Sequence, residues 1–295
     1  MQKKISKVLV IFLSCCFIFV FSGCDSFLMH MWTDISYRYA AVTGGFEIVS
    51  YSVNEHFDYS KPVELPSEYN GEKIVGIGEG AFSGGNFINI VLPSDLEYIN
   101  SGAFMSCKEL RQVKNNSEKL KKIDSYAFQN CSKLSSFDMP ESLTYLGDLV
   151  FDNTGLKKAS LPKSLVRIGF NCFSNSKIEE IEFKNSVSAI PQATFKNTNI
   201  EMLIIPETVQ TLGPLSFANN QFLSSVVLSE GVYCIDNNAF SSCPKLEEIL
   251  IPKSVFSISE NSFEDVSESF KIRCYKGSYA EKYAKKNKIN FVIIK

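Results

Sequence analysis

Histidine is nearly missing from this chain. His30 and His56 are the only two, and both lie outside the repeating part of the sequence. No Cys-x-x-C pair occurs. A zinc site, or a hydrolase built on a histidine base, therefore has almost no material. Excess charge is scarce too: 30 Lys and Arg face 32 Asp and Glu, and no basic stripe carries interleaved stacking aromatics, so nothing points to nucleic acid as a partner. The apolar run at residues 8–21 has fourteen residues, whereas a membrane span needs about 20. It follows Lys3, Lys4 and Lys7, and the two together read as an export signal over residues 1–23.

What is present is a repeat. Taking one phenylalanine as the origin, the column runs Phe82, Phe104, Phe128, Phe151, Phe173, Phe195, Phe217, Phe240 and Phe263, at intervals of 22 to 24 residues. Five positions earlier every repeat has Ile or Leu, from Ile77 to Ile258; eight positions earlier all are aliphatic, from Ile74 to Val255. A small residue precedes each Phe, and a small or polar one follows three positions later. Next comes Leu/Ile-x-x-Val/Ile-x-Leu/Ile, as in Leu246, Ile249 and Ile251, often closed by a proline such as Pro252. A unit of this length cannot bury its own apolar side chains, so stacked units must share one core. The alternating segment reads as one short parallel strand per coil, and the phenylalanines as an internal stack. The fold expected is a β-rich solenoid of nine coils, capped at both ends.

These residues resemble a known family. The pattern at Ser164, Leu165, Ile168, Gly169 and Phe173, with Pro252-Lys-Ser-Val255, is similar to the BspA-type, or Treponema pallidum-type, leucine-rich repeat. The segment 277–287, GSYAEKYAKKN, resembles the C-terminal part of such proteins. The resemblance covers roughly residues 46–295 and implies a leucine-rich repeat solenoid of the α/β horseshoe class. It also implies a bacterial surface protein, with adhesion to host matrix or to other bacteria as the associated role. Phe21-Ser22-Gly23-Cys24 resembles the lipobox of bacterial lipoproteins, with Phe21 where Leu is usual. That resemblance makes Cys24 the lipid attachment site, and the membrane a partner through that lipid.

The chain then divides into a leader at 1–23, a tether at 24–36, an N-terminal cap at 37–76, repeats at 77–266 and a C-terminal cap at 267–295. The tether is apolar, with Phe27, Leu28, Met31 and Trp32. It either lies at the lipid interface or docks on the first coil. In the first cap, residues 37–43 and 46–53 alternate around Gly44-Gly45, a hairpin signal with a primed turn. Gly78, Gly147, Gly169 and Gly213 share one slot and read as tight coil corners, not as a nucleotide loop. In the last cap, Ser278 with Glu281 signals a helix start, and strands are expected at 270–274 and 289–294.

Several groups have a plain structural reading beside a chemical one. Cys107, Cys131 and Cys243 share a column with Thr, Ser and Asn, which suits a small group bonded to backbone. Buried free thiols are expected for them, as for Cys172 and Cys274; a Cys107–Cys131 bridge between adjacent coils is also geometrically possible. The many carboxylates read as a solvated face, and paired-acid chemistry would need a deep cleft that an open solenoid lacks. Outward side chains of the strand layer are mostly polar in the first half. Met202, Ile204, Val227 and Leu250 then gather in the second, with Glu180, Glu182 and Glu248 at the rim. This is either a binding face or ordinary β-branched preference in strands. The function expected is non-enzymatic: a lipid-anchored surface protein that recognises a protein or glycan, with no cofactor and no metal. The alternative is an envelope scaffold without an external ligand.

Overall fold

The nine repeat phenylalanines form a single continuous column. In the computed structural model, which describes residues 33–40, 43–53, 61–184 and 187–295, their rings stack from Phe82 to Phe263. Centroids lie 5.0 to 5.8 Å apart, with planes 3 to 15° from parallel. Every ring is buried. Each contact adds about 0.5–1.5 kcal/mol beyond the area it buries, so the column ties each coil to the next. The aliphatic columns pack around it: Ile99, Leu120, Leu146, Val209 and their equivalents are sealed from solvent in one core.

Most coils carry the strand expected and a second one, which at Arg167 is reduced to an isolated bridge with Tyr145. The expected layer contains Asn89–Val91, Gln112–Lys114, Ser136–Phe137, Lys158–Leu161, Glu180–Phe183, Met202–Ile205, Ser225–Leu228 and Glu248–Leu250, pairing parallel in three sheets. The second layer uses two residues per coil, as in Tyr98–Ile99, Lys122–Ile123, Thr211–Leu212 and Cys234–Ile235. Here the Ile or Leu five positions before Phe points inward. A third side is a turn, and it too has a backbone ladder. The N–H of Phe82 donates to the carbonyl of Ala103 at 2.7 Å, that of Phe104 to Ala127 at 2.8 Å, and that of Phe217 to Ala239 at 2.8 Å. All three sides therefore carry peptide hydrogen bonds from coil to coil, with breaks in the longer layer where its three sheets part.

That turn requires left-handed backbone two residues before and two after most of the phenylalanines. Tyr126, Leu149, Asn171 and Leu215 hold φ of 53 to 63° before it; Asn130, Asn153, Asn175, Asn197 and Asn219 hold 55 to 62° after it. Asparagine tolerates this region better than other non-glycine residues. The side chains also join coils: the Asn153 amide donates to Asn130 Oδ1, and that of Asn197 to Asn175 Oδ1, each at 2.9 Å. The glycine slot has a different cause. Gly147 and Gly169 have ordinary φ, but a Cβ on Gly169 would lie 2.3 Å from the Gly147 carbonyl carbon. Close approach of neighbouring coils, rather than a corner, excludes side chains there.

The caps differ in detail from expectation. The first strand, Thr33–Tyr39, begins inside the stretch assigned to the tether, so the cap starts before residue 37. It pairs antiparallel with Phe46–Val53, the last pair being Tyr39 with Phe46. Ala40 N–H donates to Gly45 O at 2.8 Å, and Gly44 N–H to Ala40 O at 3.0 Å, so the strands are not joined by a two-residue primed turn at Gly44-Gly45. Phe46–Val53 then pairs in parallel with Glu72–Ile77, which docks the hairpin on the first coil. Buried Glu47 pins that junction through an ion pair with Arg38 and a hydrogen bond from Asn100 Nδ2 at 2.9 Å.

At the other end, Lys271–Tyr275, the helix Tyr279–Asn287 and Asn290–Ile294 close the core. Ser278 caps the helix by accepting the Glu281 N–H at 3.3 Å, while the Glu281 carboxylate reaches back to Gly277 N–H at 2.6 Å rather than to Ser278. Ala280, Tyr283 and Ala284 are buried beneath it. Among the described residues no helix is long and apolar enough to cross a membrane. The leader, Cys24, most of the tether with Trp32, and both histidines lie outside the described residues.

Candidate functional site

The outward face of the longer strand layer is two parallel rows of side chains. Strand pairing sets Met202 beside Ser225, Ser225 beside Glu248 and Glu248 beside Lys271. The second row runs Ile204, Val227, Leu250 and Arg273. Residues between them, such as Leu203, Val226 and Ile249, point into the core. Period-two alternation in strands locked by core packing therefore fixes which side chains face solvent.

The four apolar residues expected to gather here do so. Met202 is 75 % exposed and Ile204 67 %, while Val227 and Leu250 are half-buried by their neighbours. Burial falls off toward Met202–Ile205 because Glu180–Phe183, on the preceding coil, does not pair with that strand and belongs to a separate sheet. Ile204 thus stands at the edge of a sheet and on its face at once.

The three acidic residues at the rim are present but already engaged. Glu180 binds Lys158 at 2.9 Å. Glu182 accepts the Ser160 hydroxyl at 2.7 Å, which, with Lys184 at 3.9 Å, holds its carboxyl below the usual range. Glu248 sits between Lys271 and Arg273, both at 3.5 Å. These two cations were not anticipated at the site, since they lie on the capping strand beyond the last phenylalanine. Their alternation, Lys271-Ile272-Arg273-Cys274, continues the two rows and was the available signal.

The cysteine column supports the coils from inside. Cys107 Sγ donates to the Phe82 carbonyl at 3.0 Å, Cys131 to Phe104 at 3.1 Å and Cys243 to Phe217 at 3.3 Å. Thr154 and Ser176 fill the same slot by bonding the phenylalanine of their own coil, at 2.8 and 2.7 Å. Cys107, Cys131, Cys172, Cys243 and Cys274 are all free and buried. Burial pushes the Cys243 thiol up to about 12 and that of Cys172 higher still. The Cys131 thiol is raised chiefly by its hydrogen bond with Cys107 and then by burial. Cys131, Cys172, Cys243 and Cys274 are thus disfavoured as thiolates, the form that attacks substrates or binds metals.

Among the described residues no group of three or more His, Cys, Asp or Glu is placed to hold a metal ion. Two recesses of about 240 and 200 Å³ lie away from the apolar rows, one lined by Tyr51, Phe82 and Phe87, the other by Ile258, Tyr279 and Tyr283. The rows themselves are an open surface.

Comparison with known proteins agrees with this architecture. The family model described as the BspA type leucine-rich repeat region matches residues 59–177 and 147–271. A leucine-rich repeat protein from Eubacterium ventriosum is similar in structure, with TM-score 0.50 and 22 % identity over 82 % of this chain and 70 % of that one. One from Bacteroides ovatus gives 0.48 and 18 % over 88 % and 98 %. The T. pallidum leucine-rich repeat protein gives 0.41 and 20 % over 88 % and 95 %. Among curated proteins nothing matches. With most of its length matched to that repeat, and every coil built to its pattern, the chain belongs to the BspA-type leucine-rich repeat family.

Proposed function

We propose that this chain is a lipid-anchored bacterial surface protein that binds a partner, without catalysis, through the outer face of residues 202–250. The observation that carries the reading is the aligned row Ile204, Val227 and Leu250, with Met202 beside it. A solvent-facing apolar row edged by charged groups is the composition of an interface centre with its rim. Because Glu180, Glu182 and Glu248 already have cationic or hydroxyl partners, a partner covering the row does not strand an unpaired charge. The row is aliphatic, with no aromatic platform for a sugar ring, which favours a protein partner over a glycan. Cys24 supplies the anchor, and the rigid core holds the face in one shape, so little ordering is needed on binding.

The test is adhesion of bacteria displaying the chain to immobilised matrix protein. Ile204→Lys combined with Leu250→Lys should lower adhesion about tenfold or more at equal surface level, because it places two cations at the centre of the face. Lys114→Glu, on the polar half, should leave it unchanged. Full adhesion by the double variant removes this face from the reading.

A further inference from the structure

Charge is distributed along this solenoid in a way that its near-neutral total conceals. Residues 33–80 carry eight Asp and Glu against three Lys and Arg, while residues 267–295 carry two against eight. Between these ends, acids and amines pair from coil to coil. Lys73 meets Asp95 at 2.9 Å, Lys133 meets Glu109 at 2.7 Å, Lys158 meets Glu180 at 2.9 Å and Lys286 meets Glu260 at 2.7 Å, each about one coil apart in sequence. No further coil follows at either end: at the first end the hairpin covers the second strand layer, through Phe46–Val53 on Glu72–Ile77, but the longer layer stops at Val63–Glu64 among the described residues. Glu64, Glu68, Glu72 and Glu79 are exposed, with no ion-pair partner among the described residues. So are Lys276, Lys282 and Lys288 in the last cap.

The strand layer has the same incompleteness. At the first end Val63–Glu64 pairs only with Asn89–Val91, and at the last Asn290–Ile294 pairs only with Lys271–Tyr275, among the described residues. Both pairings are parallel, so the two open edges run in the same direction. The last edge also leaves Val292 and Ile293 exposed. A strand edge of this kind is a template for another strand. Translation along the solenoid axis, and not a two-fold rotation, brings the two edges together in the parallel sense already used by every coil.

We propose that copies of this chain associate end to end, the basic C-terminal cap of one against the acidic first coil of the next. The next molecule supplies the neighbouring coil that each end lacks: carboxylates for Lys276, Lys282 and Lys288, and amines for Glu64, Glu68 and Glu72. Such a contact is heterologous and does not close on itself, so it builds short linear arrays. It leaves the outer face of residues 202–250 uncovered and would repeat that face along the array.

The experiment uses the full chain in detergent, mixing isotopically light and heavy preparations, with a zero-length carbodiimide that joins carboxylates to amines only in contact. The two ends of one molecule stand about 48 Å apart, from ten coil spacings of about 4.8 Å, so a link between them reports two molecules. The expected products are mixed-isotope peptides joining Glu64, Glu68 or Glu72 to Lys276, Lys282 or Lys288. They should be lost at about 0.5 M salt, where such pairs are screened. Lys276→Glu, Lys282→Glu and Lys288→Glu together should cut the linked species about tenfold. Adding Glu64→Lys, Glu68→Lys and Glu72→Lys should restore it, a recovery that misfolding cannot mimic. A monomer at every concentration overturns the proposal, as a cap made only for an anionic surface would produce. Links that persist in the triple variant, or that the compensating set fails to restore, overturn it as well.

Discussion

The side-chain nitrogen of Asn220 donates to the carbonyl oxygen of Phe195, 3.0 Å away and one coil back. The same nitrogen donates to Phe217 at 2.7 Å, and the amide oxygen accepts from the Thr198 N–H at 2.9 Å and its hydroxyl at 2.6 Å. One fully buried carboxamide thus satisfies four polar groups in the core between two coils. Cysteine does part of this work at 107, 131 and 243, and Thr or Ser does another part within one coil. The column tolerates different residues because each donates to a phenylalanine carbonyl, of its own coil or of the one before.

Asn220→Ala should therefore cost about 1–3 kcal/mol, since it leaves buried backbone groups without partners. Asn220→Cys keeps the bond to the previous coil and should cost less. Denaturant midpoints of the two variants check the order; equal loss in both would mean that volume, not bonding, governs this column.

The phenylalanine stack gives a larger effect. Phe195→Ala removes a ring enclosed by Phe173 and Phe217, at 5.3 and 5.5 Å, in the middle of the column. The loss expected is about 3–5 kcal/mol, from lost transfer energy plus the cavity. Thermal unfolding close to the parent's would contradict a shared core.

Stabilisation is available where a branched residue holds left-handed backbone. Leu215 has φ of 58° and is only half-buried. Leu215→Gly should stabilise by about 1 kcal/mol, because glycine avoids the steric cost of that conformation. A lower midpoint would show that the Leu215 side chain contributes more than its backbone strain removes.

How much of this was legible follows from what each feature leaves in a sequence. The core columns are apolar at fixed spacing, so Phe82 to Phe263 and their aliphatic partners stand out, as do the outward pairs Met202 with Ile204 and Glu180 with Glu182. The second strand layer does not, because two residues such as Tyr98–Ile99 are too short to show alternation. The left-handed positions were hidden by mixed chemistry: Tyr126, Leu149 and Leu215 give no hint, although the asparagine column from 130 to 219 does. Lys271 and Arg273 were missed because the phenylalanine origin that aligned the coils ends at Phe263.

Alkaline pH should loosen both caps. Burial pushes Tyr37, Tyr98 and Tyr283 up to about 12, aided by Tyr69, Glu47 and Glu260 respectively. The unfolded chain releases these protons near 10, so the folded state binds more protons above that value. Stability is then unaffected by these groups below pH 10 and declines as pH rises from 10 to 12. Tyr283→Phe removes one of the three, and should make the decline shallower in a pH series of unfolding midpoints. An unchanged slope would contradict the link.

Everything proposed for the sheet face requires that the solenoid stand outside the cell on a lipid. The most direct measurement is protease treatment of intact cells after labelling with palmitate, with Cys24→Ala as the control. The account predicts label on the parent chain, no label on the control, and loss of the repeats to protease while the cells remain whole. Repeats that survive in intact cells, or a chain that never takes the label, would contradict it.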